Sequence, residues 1–105
     1  MARRGNIREI VEVSQGQLLD MISNDKSVVR TGATVDCNKR ANGYQHDRYS
    51  GVMYSARTQN MRAAEDKLLE AGRRNNSCIH NQQQLSNMQE VPGNVYVIKG
   101  KKFSS

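Results

Sequence analysis

Breaking a phosphodiester requires a cation to neutralise charge developing at phosphorus, a carboxylate to hold a divalent metal, and a hydroxyl or water set for in-line attack. The middle of this chain carries all three kinds of group. Gly32 closes a short β-rich run, Arg40 follows on a basic segment, and Glu65 lies on a later amphipathic stretch. Tyr44 and Tyr96 supply hydroxyls. Each residue also has a plainer reading: Gly32 as a turn glycine suited to positive φ, Arg40 as a solvated helix residue, and Glu65 as a surface partner of Arg62.

The run Arg30-Thr31-Gly32-Ala33-Thr34, with Arg40 and then Tyr44 after it, resembles the second half of the GIY-YIG nuclease signature. That half reads Tyr-Ile-Gly-x-Thr, then Arg, then His or Tyr. In that family a further strand and a helix with a metal-binding Glu follow, which match residues 51–57 and Glu65 in Ala63-Ala64-Glu65-Asp66-Lys67-Leu68-Leu69. The similarity spans residues 30–69. Arg30 stands where the family has tyrosine, and no Gly-Ile-Tyr strand lies just upstream. A run similar to that first motif, Gly93-Asn94-Val95-Tyr96-Val97-Ile98, comes last instead. The match therefore implies a permuted strand order, which is allowed because neighbouring strands need not be consecutive. The resemblance implies a Mg²⁺- or Mn²⁺-dependent DNA endonuclease in which Arg40 stabilises the phosphate, Glu65 binds the metal, and Tyr44 or Tyr96 helps activate water.

Charge points to the same class of partner. Sixteen Lys and Arg against ten Asp and Glu give +6, and the basic residues are spread along the chain, which implies a basic surface and not a basic tail. Such a surface favours phosphate backbones, because each neutralised phosphate releases condensed counterions. The expected contacts are Arg30, Gly32, Thr34, Lys39 and Arg48 around the glycine turn, and Lys99, Lys101 and Lys102 on the strand beside it. Nucleic acid is the expected partner, DNA ahead of RNA. No run approaches the ~20 apolar residues of a membrane span or forms a signal peptide, so a cytoplasmic or nuclear, non-secreted protein with no membrane partner is expected. Cys37 and Cys78 have no nearby Cys and read as reduced buried thiols. His46 and His80 stand alone in polar loops, against a His-based metal site.

These groups must be carried by one domain, since 105 residues bury one modest core. Residues 7–13 read as an edge strand. Ser14 and Gln17 form a capping box for a helix over 15–23. Residues 27–31 are a strand stopping at Gly32, after which Thr34 caps a helix that Gly43 weakens or ends. Alternation over 51–57 marks a central strand. Asn60 caps a helix over 60–71 with Met61, Ala64, Leu68 and Ala71 in one stripe and Gly72 as its stop. A short helix around 82–87 precedes the Pro92-Gly93 turn, and 94–99 is a β run. Residues 1–6 and 101–105 are expected to be flexible.

The expected fold is α/β of the α+β type, a small, mainly antiparallel three-stranded sheet of 27–31, 51–57 and 94–99 flanked by helices. The leading function is metal-dependent endonuclease. The alternatives are a non-catalytic DNA- or RNA-binding module with exposed Tyr for stacking, and a small basic inhibitor or interaction protein meeting an acidic partner.

Overall fold

Valines and isoleucines spaced by two set the sheet, because such side chains fall on opposite faces of a strand in turn. The computed structural model describes residues 4–75 and 86–103. The elements are β1 (Ile7–Glu12), α1 (Gln15–Asn24), β2 (Val28–Thr34), α2 (Cys37–His46), β3 (Tyr49–Thr58), α3 (Met61–Arg74) and β4 (Gly93–Lys102). The sheet runs β1-β3-β4-β2, with β4 antiparallel to both β2 and β3, and β1 parallel to β3. Among the described residues the sheet is thus four-stranded and mixed, not three-stranded and antiparallel. Residues 7–12 do lie at an edge, but they pair with Gly51–Ser55 rather than standing apart.

Alternation along β4 divides the core in two. Val95 and Val97 join Leu18, Ile22, Leu68 and Ala64 beneath α1 and α3. Tyr96 and Ile98 join Ala41, Tyr44, Tyr49 and Met53 beneath α2. With few large aromatics available, three of the four tyrosines are buried on the α2 face. Tyr44 meets Tyr49 and Tyr96 edge to face at 5.2 and 5.8 Å between centroids, a favoured aromatic geometry.

Both amphipathic helix expectations hold. Ser14 and Gln17 form the capping box of α1, and Asn60 caps α3, its Oδ1 accepting from Ala63 N at 3.0 Å. Gly72 does not stop α3, which runs on to Arg74. The second helix begins later than expected. Thr34 is the last residue of β2, pairing with Asn94, and Asp36 is the cap of α2, its Oδ1 accepting from Lys39 N at 3.1 Å. Asp outranks Thr as a cap, and the ladder to β4 keeps Thr34 extended. The helix passes through Gly43 to His46.

Gly32 is likewise no turn residue. It sits inside β2 directly opposite Tyr96, and a Cβ built on it would come within 2.3 Å of Tyr96 Oη. The glycine is there to admit the tyrosine ring.

The chain ends are tied down as far as they are described. Gly5 N donates to Gln45 O, Asn6 N to Ser50 Oγ, and Phe103 N to Arg48 O. Cys37 is half-buried and free, with burial pushing its thiol up. Cys78, His80 and most of the expected helix over 82–87 lie outside the described residues. Residues 86–88 are not helical.

Candidate functional site

The site forms at the β2 edge of the sheet, where β2, α2, α3 and the segment before β4 meet. A cavity of about 130 Å³ is lined there by Arg30, Gly32, Arg40, Tyr44, Glu65 and Tyr96, with Asn87 and Met88. That is room for about four waters at ~30 Å³ each, or a phosphate-sized group. Residues far apart in sequence are brought to it by register. Gly32 and Tyr96 are cross-strand partners, Arg30 lies two residues before Gly32 on the same face, and α2 lays Arg40 and Tyr44, one turn apart, over that face.

A hydrogen-bonded chain runs through the cavity. Arg30 Nε donates to Tyr44 Oη at 3.4 Å, and Tyr44 Oη pairs with Tyr96 Oη at 2.6 Å. The Arg30 guanidinium also lies 5.9 Å from the Tyr44 ring centroid. Tyr96 is 1% exposed, and burial, followed by the neighbouring Tyr44 phenol, pushes its phenol well above the ordinary range. It stays neutral. Thr31 Oγ1 donates to Tyr96 O at 2.8 Å, fixing the backbone behind the ring.

Glu65 projects from the buried side of α3 and is 5% exposed. It is not a surface partner of Arg62: Ser86 Oγ donates to Glu65 Oε1. Ser86 N also donates to Asp66 Oδ1 at 2.5 Å, so two adjacent carboxylates of α3 pin this segment beside the cavity. Burial raises the Glu65 acid above the usual glutamate range and Asp66 adds to the rise. The Ser86 hydroxyl and the charges of Arg30 and Arg40 oppose it.

The basic residues do not gather around Gly32 in the way their order in the chain suggests. Arg40 borders both the cavity and its neighbouring groove, and Lys39 lines the groove. Thr34 lines the groove, its hydroxyl accepting from Asp36 N at 3.0 Å. Arg48 does not join them. It lies past the C-terminal end of α2 with φ 73°, where its carbonyl accepts from Phe103 N. Lys101 and Lys102 are at that same end of the sheet, over Phe103 and Tyr49 respectively, and Lys102 is about 20 Å from Tyr96 at ~3.3 Å per strand residue. Lys99 is committed elsewhere, its Nζ 2.5 Å from Asp25 Oδ2 and 5.8 Å from the Tyr54 ring on the α1–α3 side. The expected single basic surface is therefore two patches at opposite ends of β4, with Lys99 tied to α1.

Ser86, Asn87 and Met88 were missed. They follow a polar run with no apolar period, so no sequence signal ties them to α3. Asp36 had a signal, its rank as a helix cap.

A divalent ion would find one carboxylate here, Glu65, and among the described residues no cluster of three or more His, Cys, Asp and Glu. One carboxylate with substrate phosphate oxygens and water is an ordinary donor set for Mg²⁺, so the residues fit such an ion.

No protein-family model, no curated protein and no solved structure matches this chain.

Proposed function

We propose that this protein is a metal-dependent nucleic-acid phosphodiesterase, similar in site and strand pairing to GIY-YIG nucleases, with DNA ahead of RNA as substrate. The observation that carries the reading is that Arg30, Arg40, Tyr44, Tyr96 and Glu65 line one phosphate-sized cavity. It is supported by the pairing of the Gly32 strand with the Tyr96 strand, which is the permuted arrangement that the two motif-like runs require.

Each side chain has a distinct task in this mechanism. Arg40, exposed at the mouth, meets the phosphate and opposes the negative charge that grows on its oxygens as the bond breaks. Arg30 is half-buried and adds positive charge from the wall. Tyr44 holds the water. A phenolic oxygen has one proton and two lone pairs. With its proton directed to Tyr96 Oη and one lone pair taken by Arg30, the remaining lone pair accepts from a water and orients it. Tyr96 is a positioning residue, too buried to meet water itself. Glu65 would hold the divalent ion, which would supply Lewis acidity toward a phosphate oxygen and water.

A second reading, a non-catalytic nucleic-acid-binding module, is favoured by the Ser86 hydroxyl already engaging the Glu65 carboxylate. Supercoiled plasmid incubated with the protein and Mg²⁺ or Mn²⁺ separates the two. Conversion to nicked or linear DNA that EDTA abolishes is expected. Glu65→Gln, whose amide oxygen still accepts from Ser86, should lower the rate by about 10²-fold or more, the usual loss on removing one electrostatic stabiliser. Plasmid left intact, or cut equally by Glu65→Gln, overturns the enzymatic reading.

A further inference from the structure

Beside the small cavity lies a larger groove of about 570 Å³, lined by Thr34, Val35, Asp36, Lys39, Arg40 and Gly43. Arg40 borders both, so an occupant of one is contiguous with an occupant of the other. Two features of the groove have no role in the fold. Val35 is 72% exposed and is the most exposed large apolar side chain among the described residues. Gly43 stands in the interior of α2, where glycine weakens a helix, and a Cβ placed on it meets nothing within 4 Å. Neither positive φ nor close packing calls for glycine there. What a side chain at 43 would do is fill the groove.

We infer that this groove seats one unpaired nucleotide next to the phosphate held by Arg30 and Arg40, with its base against Val35 and Gly43 and its own phosphate on Lys39. The inference rests on the nucleic-acid reading above and adds the strand state and the subsite. Volume supports it, because several hundred Å³ is the scale of a pocket for one small ligand, and a base pair held in a duplex cannot enter it. Chemistry supports it as well. An apolar side chain offers a face for a flipped base, and Lys39 and Arg40 supply the cations. Asp36, which also lines the groove, repels a phosphate but accepts from the exocyclic amine of a base. The exocyclic edge of the base therefore faces Asp36, and the phosphate lies on Lys39 and Arg40.

The test is fluorescence anisotropy in EDTA with a labelled single-stranded deoxyoligonucleotide of about eight nucleotides, and with its duplex. Gly43→Leu keeps α2 intact, since leucine is the better helix former and has open space, so its melting temperature should rise. Its affinity for the single strand should nevertheless fall about tenfold, the loss of one stacked base. Lys39→Ala should reduce the salt slope by about one. Single-strand affinity unchanged by Gly43→Leu, or wild-type protein that prefers the duplex, overturns the groove. Absence of cleavage together with Gly43-dependent binding overturns the nuclease reading alone.

Discussion

Replacing Gly32 by alanine asks a single methyl group to share space with a buried phenol. The added Cβ would lie 2.3 Å from Tyr96 Oη, 2.7 Å from Cζ and 3.2 Å from Cε1. The Tyr96 side chain cannot swing away cheaply: it is 1% exposed, edge to face with Tyr44, and tied to Tyr44 Oη at 2.6 Å. Overpacking of this kind costs about 1–3 kcal/mol. Breaking the phenol pair adds about 1 kcal/mol. The sum, about 2–4 kcal/mol, corresponds to a drop of roughly 10–20 °C in Tm for a domain of this size. Urea denaturation followed by circular dichroism measures it. The same substitution in a Tyr96→Phe background should cost about 1 kcal/mol less, because the nearest atom has gone while Cζ remains. A Gly32→Ala protein within about 0.5 kcal/mol of wild type, or equal costs in both backgrounds, refutes the account of why glycine stands there.

Two further outcomes follow from the charges. Lys99, then the Ser27 hydroxyl and amide, hold the Asp25 carboxyl down at about 2 against an ordinary 3.8, so the folded state favours the ionised form. This contribution is fully present above the unfolded value and is lost as pH falls toward 2. Both side chains are about 30% exposed, so Asp25→Asn should destabilise by no more than about 1 kcal/mol at pH 7, and the difference from wild type should shrink as melts are taken toward pH 2 and vanish only below it. The two basic patches should separate kinetically. On the proposed nuclease reading, Arg40→Ala should lower kcat, whereas Lys101→Ala with Lys102→Ala, at the far end of β4, should raise KM with kcat unchanged. Steady-state cleavage of a labelled duplex with a frayed end checks both, and equal effects on kcat would dissolve the distinction.

Much of this arrangement was legible because local signals and tertiary outcome agree. Ser14 with Gln17, and Asn60 ahead of the Met61, Ala64, Leu68 stripe, announced α1 and α3 by capping and period alone. The run of Val95, Tyr96, Val97 and Ile98 announced β4, and the Gly32, Arg40, Tyr44, Glu65 and Tyr96 set does line one cavity. What stayed hidden depended on partners. Gly32 reads as a turn until Tyr96 is known to lie across from it. Thr34 reads as a cap until β4 extends it. Lys99 reads as a phosphate contact until Asp25, a long way back in sequence, takes its charge. The Ser86 contact to Glu65 has no periodic or motif signal at all.

The place of β4 at the middle of the sheet carries a consequence for how the chain folds. It joins β2 to the β1–β3 pair, yet among the four strands it comes last, and Thr31 and Tyr96 bond across 65 residues. Loops of that length must close before any native contact between the two halves rewards them, and such non-local pairing slows folding. On the ribosome the helices can form early while β2 waits without a strand partner and β3 with one edge open, exposed to mispairing until residues 93–102 emerge. Because Tyr96 belongs to that strand, the site cannot exist in any partly folded form: assembly of the sheet and assembly of the cavity are one event.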